Sequence, residues 1–211
     1  MAELNSARRT TFTWATLPAP SSWPIGEAVY VSDVGVGGSR WFSSGSIWIP
    51  EGGRVLLGQA SPAQALTGNT TDQTGASGTT RTIVTVPAGM MGANGVLEIE
   101  TLWTYTNSAN AKNIRVRFGG TSGTLFLNTA PTTTYGLQNV CYIRNAGATN
   151  SQKGFVAASG SHYGTASGTP WPTTGAIDTT AAQDLIIGGQ LTNTGETITL
   201  DAYAVWCRPA P

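Results

Sequence analysis

Glu98 and Glu100 stand two residues apart in the run GVLEIETLWTY. On an extended chain that spacing puts both carboxylates on one face, and paired carboxylates flanking a sugar are the equipment of glycoside hydrolysis. A structural use competes with this one. KNIRVRFGG follows after a short polar loop and offers Arg115 and Arg117 at the same spacing. Folded as a hairpin, the two runs set Glu98 and Glu100 opposite Arg117 and Arg115, where each opposed pair contributes about 0.2–1 kcal/mol. Acids held this way are poor proton donors near neutral pH, so ion pairing is the expected role.

The single histidine, His162, follows Ser161 in GSHYGTASG. A serine nucleophile needs its base within hydrogen-bond reach and a third group to orient that base, whereas neighbours in an extended loop point apart. The chain also holds no GxSxG elbow. Asp33 in SDVGVGG lacks the alternating carboxylates of a calcium loop, and GVGG lacks the lysine and helix of a phosphate cradle. Cys141 and Cys207 lie in apolar runs with neither a CxxC spacing nor a neighbouring histidine, so reduced buried thiols are expected, with a disulfide as the alternative. The residues thus predict no catalytic group, no metal and no cofactor.

Aromatic side chains carry the remaining possibilities, with seven tryptophans among 211 residues. Trp103 and Trp206 fall on apolar strand faces and are expected in the core. The stretch YVSDVGVGGSRWFSSGSIWIP gathers Tyr30, Trp41, Phe42 and Trp48, with Trp23 just upstream. It reads as a sugar platform, a miniature core or a contact surface. Tyr163 and Trp171, with His162, lie in the turn-rich connection from Ala158 to Thr180, where loop aromatics either stack on a ligand or fold back over the domain.

The elements that must position these groups are strands. Period-two alternation dominates: Leu97, Ile99, Thr101, Trp103 and Tyr105 share one face, as do Ile114, Val116 and Phe118. ETITLDAYAVWC places Ile198, Leu200, Ala202, Ala204 and Trp206 together, and the NTGE turn before it predicts a terminal hairpin. Only SPAQAL suggests a helical turn. Seven or eight strands between residues 81 and 211, broken by Gly, Pro and Asn, predict an antiparallel jelly-roll-like β-sandwich. Residues 1–57 predict an attachment segment and a four-stranded β-meander (AVYVS, SRWF, SIWI, RVLL) too small to close a core alone. Residues 58–80 predict a polar connection. The expected class is all-β.

Acidic and basic residues balance at 11 each, so no cationic surplus points to nucleic acid or to an anionic membrane surface. No apolar run is long enough to span a bilayer, and none behind the first arginines resembles a secretory signal. A surface this poor in charge is weakly protected against association, which favours an oligomer.

VYVSDVGVGGSRWFSSGSIWIPEGGRVLL resembles a module of tailed-bacteriophage virion proteins that precedes a β-rich C-terminal domain. VPAGMMGANGVLEIETLWTYTNSANAKNIRVRFGG and TNTGETITLDAYAVW are similar to the C-terminal domains of phage tail-fibre and virion-decoration proteins. The resemblance runs from about Ile25 to Trp206. It implies a non-enzymatic structural protein, a homotrimer on the virion surface, assembled in the host cytoplasm beside other phage proteins. On the tail it would attach to a host cell-surface glycan or protein; the alternative is a head fibre or capsid decoration protein. A glycan-degrading tailspike and a free carbohydrate-binding module are more distant readings. Under this resemblance Trp23, Tyr30, Trp41, Phe42 and Trp48 are the expected assembly contacts, and His162, Tyr163 and Trp171 the expected host-contact loop.

Overall fold

The computed structural model describes residues 10–35, 37–156 and 172–211. Among the described residues the chain is all-β, with two short 3-10 turns at Trp14–Thr16 and Pro20–Ser22 and no α-helix. SPAQAL, expected to make a helical turn, instead ends in a strand. The strands run β1 Thr11–Phe12, β2 Ala28–Val31, β3 Ser39–Ser43, β4 Trp48–Pro50, β5 Val55–Ala60, β6 Gln64–Thr67, β7 Arg81–Val86 and β8 Val96–Tyr105. They continue with β9 Lys112–Phe118, β10 Thr124–Thr129, β11 Gly136–Asn145, β12 Gln152–Val156, β13 Thr173–Gly175, β14 Gln183–Leu191 and β15 Thr197–Arg208.

Two antiparallel sheets form a sandwich. The large one has order β13-β12-β11-β8-β15-β5, with β6 pairing the first half of β15 beside β5. The small one has order β10-β9-β14-β7. Alternation places Leu97, Ile99, Trp103, Cys141 and Ile143 from the large sheet against Ile114, Val116, Phe118, Leu185 and Ile187 from the small one, all buried. Such burial contributes about 1.5–3 kcal/mol per large side chain.

Two expected hairpins are absent. The connection from β8 to β9 and the NTGE turn from β14 to β15 each carry the chain from one sheet to the other. Alternation defines the faces of a strand, but it does not say which neighbour the strand takes. Within β15 the ladder slips by one residue between Leu200 and Ala202. Beyond that bulge Val205 and Cys207 are buried, and Trp206, expected in the core, is half-buried on the outer face.

Residues 58–80, expected as a connection, belong to the sandwich. β5 and β6 complete the large sheet, and the loop after them roofs the outer face of the small one. Gln73 is fully buried there. Its amide oxygen accepts from the backbones of Thr79 and Thr80 at 2.8 Å, and its own backbone N–H donates to Gly189 at 3.0 Å. Gly188 makes the approach possible, since a Cβ there would lie 3.2 Å from the side chains of Gln73 and Thr74.

The N-terminal sheet has order β1-β2-β3-β4, with β1 parallel to β2. RVLL, expected as its fourth strand beside β4, leaves to pair with β15, and β1 adds at the other edge, beside β2. The module's core is filled by its own lead segment. Trp14 packs on Trp41 at 5.0 Å between ring centroids, and Trp23 on Trp48 at 6.3 Å. The Trp48 indole donates to Pro18 at 3.0 Å, and the Trp14 indole reaches the sandwich at the carbonyl of Ala88, 2.8 Å away.

Candidate functional site

Glu98 and Glu100 do share the outer face of the large sheet, but Arg115 and Arg117 lie on the opposite side of the molecule. There both pair with Asp72 in the roofing loop, at 2.8 and 3.3 Å. Burial alone would raise the Asp72 carboxyl. Hydrogen bonds from the Thr74 hydroxyl and backbone, with the two guanidiniums, outweigh it and hold the group below its ordinary value.

Glu98 is clamped instead by Arg208 and by Arg54, the latter at 3.9 Å. Its side chain is only 8% exposed, while those of the two arginines are about half exposed. The Arg54 guanidinium also lies 4.2 Å from the Trp206 ring centroid. One face of the indole is therefore already stacked, and both carboxylate oxygens of Glu98 face cations. This geometry suits an ion-paired surface cluster better than a proton donor aimed at a glycosidic oxygen. One step along, Glu100 lies between Val140 and Ala204, and Leu102 beyond it is 45% exposed. Glu100, Leu102, Gln138, Ala202, Tyr203 and Ala204 line a shallow concavity of about 280 Å³.

The five aromatic contact candidates divide between the two faces of the N-terminal sheet. Trp41 is fully buried and Trp48 nearly so, and half-buried Trp23 packs among Phe12 and Trp48 on the inner side. Trp41 and Trp48 thus build the module and do not face outward. Tyr30 and Phe42 occupy the alternate, outward positions, across from Arg40 and from Ala28 and Ile49. Ile25, near Gly45, is 77% exposed and Ile49 is 38% exposed, and Arg40 sits 5.0 Å over Phe42. The outward side is therefore an apolar surface edged by the exposed Arg40–Glu51 pair. His162, Tyr163 and Trp171 lie outside the described residues.

Asp33 is a turn residue whose carboxylate accepts from the Trp14 backbone at 2.7 Å, before a run in which Gly35, Gly37 and Gly38 all have positive φ. Among the described residues no group of three or more potential ligands gathers to hold a metal. Cys141 and Cys207 are buried free thiols, and burial pushes both up to about 12. They sit on the two strands flanking β8, about 10 Å apart by strand spacing alone, beyond the reach of a disulfide.

One polar site went unanticipated. Lys112 is fully buried, and its ammonium donates to the carbonyls of Asn110, Thr132 and Ser108 at 2.6, 3.1 and 3.2 Å and to the Ser108 hydroxyl at 2.9 Å. Glu196 stands 3.9 Å away and accepts from Ser108 and Asn110. The Ser108 hydroxyl is the main reason the Glu196 carboxyl is lowered, assisted by Asn110 and Lys112 against burial. With every donor taken, the ammonium ties three loops together.

No known protein-family model matches the chain. No curated protein matches it either. Solved structures with partial overlap include latent PorU from Porphyromonas gingivalis, at TM-score 0.36 and 10% identity. That overlap covers 73% of this chain, which spans only 12% of PorU. The CBM2 module of the evolved Dit of Lactobacillus casei BL23 phage J-1 aligns at TM-score 0.38 and 8% identity, over 75% of this chain and 98% of the module. An alginate lyase from Alteromonas sp. 272 aligns at TM-score 0.28 and 8% identity, over 58% of this chain and 78% of the lyase. At such overlap the ligands and activities of those proteins remain theirs alone.

Proposed function

We propose that this chain is a non-enzymatic structural protein of a bacteriophage virion, a homotrimeric appendage carried on the tail for attachment to the host surface. The observation that carries the reading is the outward side of the N-terminal sheet. Its inner side is satisfied by the chain's own tryptophans, yet Ile25, Phe42 and Ile49 still face outward together with Tyr30. An apolar face on a module that already has its core is surface kept for another chain. The resemblance of VYVSDVGVGGSRWFSSGSIWIP to phage virion modules supplies the kind of chain: further copies of itself and neighbouring virion proteins.

A head-fibre or capsid-decoration placement is the second reading, favoured by the lack of shaft repeats or helical heptads among the described residues. Light scattering on the purified 21.9 kDa chain tests the assembly. A trimer is expected, and Phe42→Lys with Ile49→Lys should give a folded monomer; a wild-type monomer would overturn the trimer. Immunolabelled particles should carry label at the tail, and label on the head alone transfers the protein to the second reading. Hydrolysis of a host polysaccharide that disappears in Glu98→Gln would show an enzyme instead.

A further inference from the structure

The chain as a whole is neutral, yet its topology collects cations at one place. Across β12, β11, β8 and β15 the residues Lys153, Arg144, Val96 and Arg208 stand side by side in register. Their chain neighbours Ile143, Leu97 and Cys207 are buried in the core, so this row faces outward. Arg144, Lys153 and Arg208 are exposed. In the next row Arg54 covers Trp206 and shares Glu98 with Arg208. The two rows therefore hold four cations against one carboxylate, a net of +3, and Glu100 comes one row further on. Among the other described cations, Arg40 pairs with Glu51, Lys112 faces Glu196, Arg115 and Arg117 share Asp72, and Arg81 donates to the Gly75 carbonyl.

We propose that this end of the large sheet binds an acidic polysaccharide, its carboxylates bridging Lys153, Arg144 and Arg208 across the strands. From Lys153 to Arg208 is three strand spacings, about 14 Å. A sugar chain charged once per ring repeats on a scale comparable with the strand spacing, and guanidiniums take carboxylates in paired hydrogen bonds. Stacking of a neutral sugar on Trp206 is opposed because Arg54 already occupies that ring face. Trp206, already capped by Arg54, is not the open aromatic anchor a protein partner would seek. Four cations facing one carboxylate neutralise few phosphates, so nucleic acid would be held weakly and lost on adding salt.

The inference gives a ligand class to the host-attachment part of the proposed function. Affinity electrophoresis of the full chain in gels holding polygalacturonate tests it, with neutral dextran and a single-stranded DNA oligonucleotide as comparisons. Wild type should be retarded by polygalacturonate alone, and added salt should weaken that binding. Arg144→Gln with Lys153→Gln, both exposed, should lose about tenfold or more in affinity, while Arg40→Gln on the N-terminal module should not. No retardation by polygalacturonate, equal retardation by dextran or DNA, or an unaffected double variant would each overturn the site. Light scattering on the same samples separates the two readings, because a trimer without polygalacturonate binding refutes the ligand and leaves the appendage standing.

Discussion

Lys112 shows how one buried charge can hold a corner of a β-sandwich. Its ammonium satisfies three backbone carbonyls and faces Glu196, so Lys112→Met would leave these acceptors unmet and the Glu196 carboxylate without its cation. A loss of about 3–5 kcal/mol is expected in urea unfolding. This site was legible in the sequence. Lys112 shares the phase of Ile114, Val116 and Phe118, and Glu196 that of Ile198 and Leu200, so two opposite charges were aimed inward at the ends of two strands. Asp72 and Glu196, both lowered in the folded chain, also set an acid dependence. Their contribution is complete above the ordinary carboxylate range near pH 4 and disappears as pH falls through the lowered values. Melting temperature should therefore drop steeply below about pH 4. Asp72→Asn should flatten part of that drop while melting lower than wild type at pH 7.

At the scale of elements, strand faces could be read from alternation and strand partners could not. The inward phases of β8 and β9 came out as expected, but pairing them as a hairpin failed because six residues suffice equally to turn a hairpin or to cross between sheets. The bulge at Asp201 reversed the reading of Trp206 and hid the cluster it forms with Arg54, Glu98 and Arg208. Nothing in DAYAVW marks an extra residue. The same ladders place the cysteines on either side of β8, and a thiol reagent at pH 8 should label neither in the native chain and both in guanidinium. Trp41, fully buried, should cost about 3–5 kcal/mol on conversion to Ala. Because Trp14, Trp23 and Trp48 of the lead and sheet pack around this position, limited proteolysis of that variant should remove the N-terminal sheet and leave a fragment starting near residue 55.

For the whole molecule, the all-β class followed from period-two runs. The boundary did not. Residues 58–80 look like a linker because Thr, Gly and Asn dominate them, yet Gln73 and Asp72 are what fasten that loop onto the small sheet. Gly188→Val, which pushes this roof outward, should cost about 1–3 kcal/mol. If the proposed trimer forms, the melting temperature should rise with protein concentration, as it would not for a monomer.

β15 pairs with β8 on one side and with β5 and β6 on the other. Residues 55–67 and 96–105 must therefore wait for residues 197–208 to leave the ribosome before the large sheet can close. β5, β6 and β8 are thus all made before the strand that joins them, and their edges stay open in the meantime. Synthesis pace and chaperone supply, more than the stability of the finished sandwich, should govern how much protein a cell recovers.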